Sequence, residues 1–97
     1  MSLKEFEDSL KSSQPPQGIS DLLKALWQDA KGNWDAAHNL AQETDSAEGA
    51  WVHAYLHRKE GDLSNASYWY RLARRQLPTV SLEEEWRSIA SELLPKK

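Results

Sequence analysis

Histidine is the side chain best suited to metal ligation and to proton transfer near neutral pH, and the chain carries three of them, His38, His53 and His57. His53 and His57 stand four residues apart, so on a helix their imidazoles project from one face. His38 falls on the preceding predicted helix and could approach them from there. Three imidazoles beside a carboxylate have the donor chemistry of a zinc or iron site. The zinc-protease pattern is not met, because Ala54 and Tyr55 follow His53 where that motif needs a glutamate. The same residues also suit interhelical positions, hydrogen-bonded to tyrosine, tryptophan or backbone, which is the commoner use of buried histidine.

Two further groups could recognise a ligand. Trp51, Tyr55, Arg58 and Lys59 share the helix of His53 and His57. Aromatics beside cations suit an extended acidic or C-terminal peptide, the cations holding carboxylates and the rings supplying packing area. The alternative puts Trp51 and Tyr55 in the core and leaves the two cations solvated. Arg71, Arg74 and Arg75 lie near a helix C-terminus, where they could meet phosphates or, more commonly, offset the helix dipole and pair with Glu83, Glu84 and Glu85. Tyr68, Trp69 and Tyr70 cannot all face one way; Trp69 and Tyr70 are expected in the core with Leu72 and Ala73. No phosphate-binding glycine loop, dinucleotide fingerprint or nucleophile elbow occurs. The spacings select no catalytic residue and no cofactor, so an enzyme reading rests wholly on the histidines.

The positioning elements follow from periodicity and punctuation. Leu3, Phe6 and Leu10 recur at helical spacing over residues 1–12, and Ser12-Ser-Gln-Pro-Pro-Gln-Gly18 then breaks the helix. Residues 13–18 form the one linker, expected to lay the first helix back across the others. Ser20 caps a second helix that is apolar around much of its circumference, as a central helix would be. Lys31-Gly32-Asn33 ends it and opens a third. Asp45 with Glu48 forms a capping box for a fourth helix over about 47–60, Gly61-Asp62 joins that helix to a fifth over 63–76, and Pro78 stops the fifth. Ser81 with Glu84 opens a sixth carrying Leu82, Trp86, Ile89, Ala90 and Leu93 on one face. No alternating stretch predicts a strand. The expected fold is all-α, a single domain over 1–97 of five to six short helices.

Aligning 22–42 with 51–71 exposes an internal repeat at an offset of 29 residues. Ala25 falls on Ala54, Gly32 on Gly61, Asn33 on Asp62 and Ala37 on Ala66. Antiparallel helices joined by a tight turn approach closely only where the facing side chains are small, which Ala25 with Ala37 and Ala54 with Ala66 would provide. Ala54, Ala66, Tyr70 and Pro78 resemble, in type and spacing, the tetratricopeptide-repeat pattern of two small residues, an aromatic and a closing proline. The chain departs from that pattern at Ala50, His53 and His57, at Ala41 in the earlier copy, and in its period, against roughly 34 in the family. The resemblance covers about residues 19–78. It implies two stacked helix pairs, with the first and last helices (1–12 and 79–97) as caps, and a concave face lined by the first helix of each pair. The run His53-Ala-Tyr-Leu-His-Arg-Lys-Glu-Gly-Asp62 also resembles small bacterial proteins that carry it, a likeness that implies no activity.

Composition narrows the remaining classes. The absence of cysteine removes disulfides, thiolate metal sites and a cysteine nucleophile. No apolar run approaches the roughly 20 residues of a membrane helix, and the acidic N-terminus has no signal-peptide character, so a cytoplasmic location is expected. Residues 1–50 hold four basic and nine acidic side chains, residues 51–97 eight and six, without the basic excess of a nucleic-acid binder. Five tryptophans in 97 residues suit a small core built from few bulky pieces, each indole N–H seeking an acceptor. The leading expectation is a module that binds a protein or peptide, or a second copy of itself. The alternative is a small metal- or ligand-binding protein, or enzyme, built on His38, His53 and His57.

Overall fold

A computed structural model describes residues 1–95. Six α-helices follow in order: α1 (Leu3–Asp8), extended by a 3-10 turn (Ser9–Lys11), α2 (Asp21–Ala30), α3 (Trp34–Gln42), α4 (Ala47–Glu60), α5 (Leu63–Leu72) and α6 (Leu82–Leu93). There is no strand among the described residues. The all-α expectation holds. α2 with α3 and α4 with α5 form two hairpins, α3 and α2 both pack on α4, and α6 crosses α4 and α2. α1 returns over α6, so the proline linker does fold the first helix back.

The helix that organises this arrangement is α4 rather than α2. Nine consecutive residues of α4, Gly49 to His57, are buried, and α4 touches α2, α3, α5 and α6. Its polar Tyr55 and its two histidines mask a central helix from hydropathy alone. The four register alanines, Ala25, Ala37, Ala54 and Ala66, are all fully buried, as close hairpin packing requires. Gly49 makes a second close approach: a Cβ there would lie 2.1 Å from the Thr44 carbonyl oxygen, so the turn between α3 and α4 fits only against glycine.

Both hairpin turns use one device. Gly32 (φ +89°) and Gly61 (φ +92°) take the left-handed conformation, and paired backbone bonds close each turn. Gly32 N–H donates to Asp29 at 3.0 Å and Asn33 N–H to Gln28 at 2.8 Å; Gly61 N–H donates to Arg58 at 3.1 Å and Asp62 N–H to His57 at 3.0 Å. The same pair recurs after α5, from Arg74 N–H to Arg71 and from Arg75 N–H to Tyr70. There the left-handed residue is Arg74, at φ +61°. A side chain in that conformation costs about 1 kcal/mol. α5 therefore stops at Leu72, four residues short of the expected Gln76, and this turn rather than Pro78 ends it. Leu72, expected in the core, instead lies one turn after Tyr68 on the outward face of α5 and is 49% exposed, while Tyr70 and Ala73 are buried. The α4 cap also lies one residue later than expected: the Ser46 hydroxyl accepts from Gly49 N–H at 3.0 Å, in place of an Asp45–Glu48 box. Ser20 caps α2 as expected, while at α6 the Ser81 hydroxyl accepts from Glu84 N–H at 3.1 Å, one half of the expected box.

Four tryptophans donate their indole N–H across the helix seams. Trp27 reaches the Ser9 hydroxyl, Trp34 the Leu56 carbonyl, Trp51 the Glu85 carboxylate and Trp86 the Leu26 carbonyl. Each bond fixes the rotation of one helix against another.

Candidate functional site

The seam between α3 and α4 brings the three histidines together. Trp34 Nε1 holds the Leu56 carbonyl at 2.9 Å and so sets the face that α3 turns to α4. One turn later its ring stacks on His38, with centroids 4.9 Å apart. The His38 ring stands edge-on to His53 at 4.5 Å and to His57 at 5.2 Å, and His53 and His57 are 4.8 Å apart. Trp69, from α5, lies over His53 at 3.9 Å in a parallel stack. The cluster is thus walled by two indoles, with His53 and His57 buried and His38 partly exposed. One ligand nitrogen from each ring lies within 4.8 Å of the other two.

Two details give this cluster its chemistry. Glu60 Oε2 lies 2.6 Å from His57 Nδ1. A carboxylate there fixes the tautomer with the proton on Nδ1 and leaves Nε2 as the bare donor. His53 Nδ1 is buried with no hydrogen-bond partner, a rare and costly state for a polar atom. Burial drives the pKa of His53 down to about 4, helped by the charges that His38 and His57 would carry. His38 is also lowered, first by burial and then by His57, against opposing pulls from Glu60 and Asp35. At neutral pH both rings are therefore uncharged, the state in which imidazole ligates a metal. To share one zinc at Zn–N distances of about 2.0–2.1 Å, the nitrogens must draw in to roughly 3.4 Å of one another. The three nitrogens already lie within 4.8 Å of one another, so ring rotation, freest at the partly exposed His38, has to close the remaining gap. A second group, His57 with Glu60 and Asp62, also falls within 4.8 Å, with both carboxylates exposed.

The aromatic–cation set on α4 has a different fate. Trp51, Tyr55, Arg58 and Lys59 do not form an open face. Trp51 and Tyr55 are buried, and the two cations are committed to carboxylates inside the fold. Glu85 Oε1 takes Arg58 Nη1 at 2.8 Å, while its Oε2 accepts from Trp51 Nε1 at 3.2 Å and from the Tyr70 hydroxyl at 2.6 Å. Arg58 Nη2 donates to the Val80 carbonyl. Asp29 accepts from Lys59 Nζ at 2.9 Å and from the Tyr55 hydroxyl at 3.0 Å. Burial, followed by the Asp29 charge and hydrogen bond, pushes the Tyr55 pKa well above its ordinary value. Tyr70 rises likewise through burial and Glu85. Both phenols act as donors that satisfy buried carboxylates. Among the described residues no ion pair joins Arg71, Arg74 or Arg75 to Glu83, Glu84 or Glu85; Glu85 is held by Arg58 and Glu83 by Arg87 at 3.1 Å. Instead the Arg75 guanidinium lies 3.4 Å over the Trp51 ring.

Asp29 and Glu60 carry no expectation from the sequence, Glu85 pairs with Arg58 instead of the arginine cluster expected for it, and Trp69, expected in the core, roofs His53. Asp29 sits four residues after Ala25 and Glu85 four before Ile89, both on buried helix faces. A charge on an apolar face is the signal that would have found them. No protein-family profile, curated protein or solved structure is significantly similar to the chain, so the tetratricopeptide resemblance rests on the residues alone.

Proposed function

We propose that the protein binds a divalent transition metal, zinc by the chemistry of its donors, through His38, His53 and His57. The observation that carries this reading is the buried, unpartnered His53 Nδ1 in a ring of three convergent imidazoles. Glu60 would act behind His57 as the outer carboxylate that orients a metal-bound imidazole. Three protein ligands is the number found in zinc sites that keep a position for a small exogenous ligand. Calorimetric titration of the protein with zinc at pH 7.5 tests the reading. One equivalent should bind in the micromolar range or tighter, with His53→Ala or His38→Ala abolishing the heat and Glu60→Gln weakening it about 10–100-fold. Absence of binding at micromolar zinc, or equal binding by His53→Ala, refutes it.

A protein-binding or self-associating module is supported by a separate observation. α5 packs chiefly on α4, and Tyr68 and Leu72, one turn apart on it, are each 49% exposed. Sedimentation across a wide concentration range tests the self-association form; a monomer throughout removes it.

A further inference from the structure

Beyond the histidine cluster, the connection from α5 to α6 borders an open cavity of about 770 Å³, within the size range of small-molecule sites. We propose that this cavity binds a small phosphorylated molecule through Arg74 and Arg75. Both line it with Gln76, Ser88 and Ser91 as neutral partners; Arg87 lines it too, but its Nε and Nη2 are engaged by Glu7 and Glu83. The Arg75 guanidinium carbon lies 3.4 Å over the Trp51 ring, a position that leaves N–H groups at its rim to meet oxyanions in the bidentate manner of arginine. Glu85 and Glu92 also line the cavity. Both oxygens of Glu85 are already occupied, by Arg58 on one side and by Trp51 and Tyr70 on the other, so this carboxylate does not compete for the lining cations. Pro78 and Val80 add apolar wall for an organic body.

A second, independent observation points to the same place. Among the described residues the chain makes the same helix-ending turn three times and uses glycine twice, at Gly32 and Gly61. Only at the turn that borders the cavity does it put a guanidinium in the left-handed position, at Arg74. Strained residues of this kind collect at ligand sites, where the side chain matters more than the local conformation. Phosphate suits two arginines and two hydroxyls better than carboxylate does, having one more oxygen and a larger charge.

The test uses phenyl phosphate as the probe and benzoate as the comparator, at matched ionic strength, followed by amide chemical shifts of the full chain. Saturable shifts at Arg74–Gln76, Ser88 and Ser91, with benzoate bound at least about tenfold more weakly, support the proposal. Arg74→Gly should lose at least about fivefold in affinity while its thermal midpoint stays level or rises, because glycine removes the conformational cost. Arg75→Gln should lose affinity as well. The proposal is overturned if shifts do not saturate by about 10 mM, if benzoate binds as tightly, or if Arg74→Gly and Arg75→Gln both bind like wild type. A lower midpoint in Arg74→Gly would overturn the argument that Arg74 is held at a cost.

Discussion

His53 should make the metal-free protein acid-labile across a defined window. Its pKa falls from an ordinary 6.5 to about 4 in the fold, first through burial and then through His38 and His57. Trp69 covers one face of the ring, so a proton entering there meets an indole and two neighbouring imidazoles. Between pH 6.5 and 4 the unfolded chain binds a proton that the folded chain refuses. Stability is then fully present above about pH 6.5 and is lost as pH falls toward 4, at up to about 1.36 kcal/mol per pH unit. The whole window is worth roughly 3 kcal/mol and the fall from pH 7.5 to 5 about 2 kcal/mol, a large share of a typical 5–15 kcal/mol. Urea unfolding in the presence of a chelator at pH 7.5 and 5 measures it, with His53→Gln as the non-titrating control. The variant should lose about 2 kcal/mol less than wild type over that interval. Equal losses in the two proteins, or an imidazole titration by NMR that places His53 at or above 6.5, would refute the reasoning.

Three further substitutions test the scaffold. Glu85→Gln removes the carboxylate that neutralises Arg58 and accepts from Trp51 and Tyr70; breaking a buried pair in this way should cost about 3 kcal/mol, read as a drop of more than about 10 °C in Tm, and a loss under about 1 kcal/mol would show that the network is not a stabilising centre. Gly49→Ala drives a methyl group into the Thr44 carbonyl oxygen and should cost about 2 kcal/mol or more by urea unfolding, whereas Gly61→Ala, whose methyl would meet nothing, should lose only the left-handed penalty of about 1 kcal/mol.

What the sequence reveals here is mostly local. Turn chemistry at Gly32-Asn33 and Gly61-Asp62 is short-range, and the small residues at 25, 37, 54 and 66 record a contact within each hairpin, so both were legible. The meeting of His38 with His53 and His57 followed from placing neighbouring helices side by side. Long-range partnership was not legible. Nothing near Glu85 in the sequence says that it, rather than Glu83 or Glu84, faces Arg58 on another helix. Lys59 and Arg58 read as surface cations because their carboxylates lie 30 and 27 residues away. Arg74 misled for a different reason: its turn is of a kind normally marked by glycine, so residue type concealed the end of α5. Gly49 has an ordinary helical setting, and only the approach of Thr44 shows why a side chain is excluded there.

The seam between the first and last helices sets the order in which the chain can assemble. Each hairpin closes through contacts only a few turns apart, and loops that short form in well under a millisecond. By contrast, the Phe6 ring stacks on Trp86, and Arg87 holds Glu7, a pair 80 residues apart; Trp86 itself donates to Leu26 over 60 residues. Closing so long a segment costs entropy that no local contact repays, so α6 and α1 have to dock on hairpins already formed. Trp86 is therefore a reporter of the final folding step, and native-state opening should begin by lifting α1 away from it.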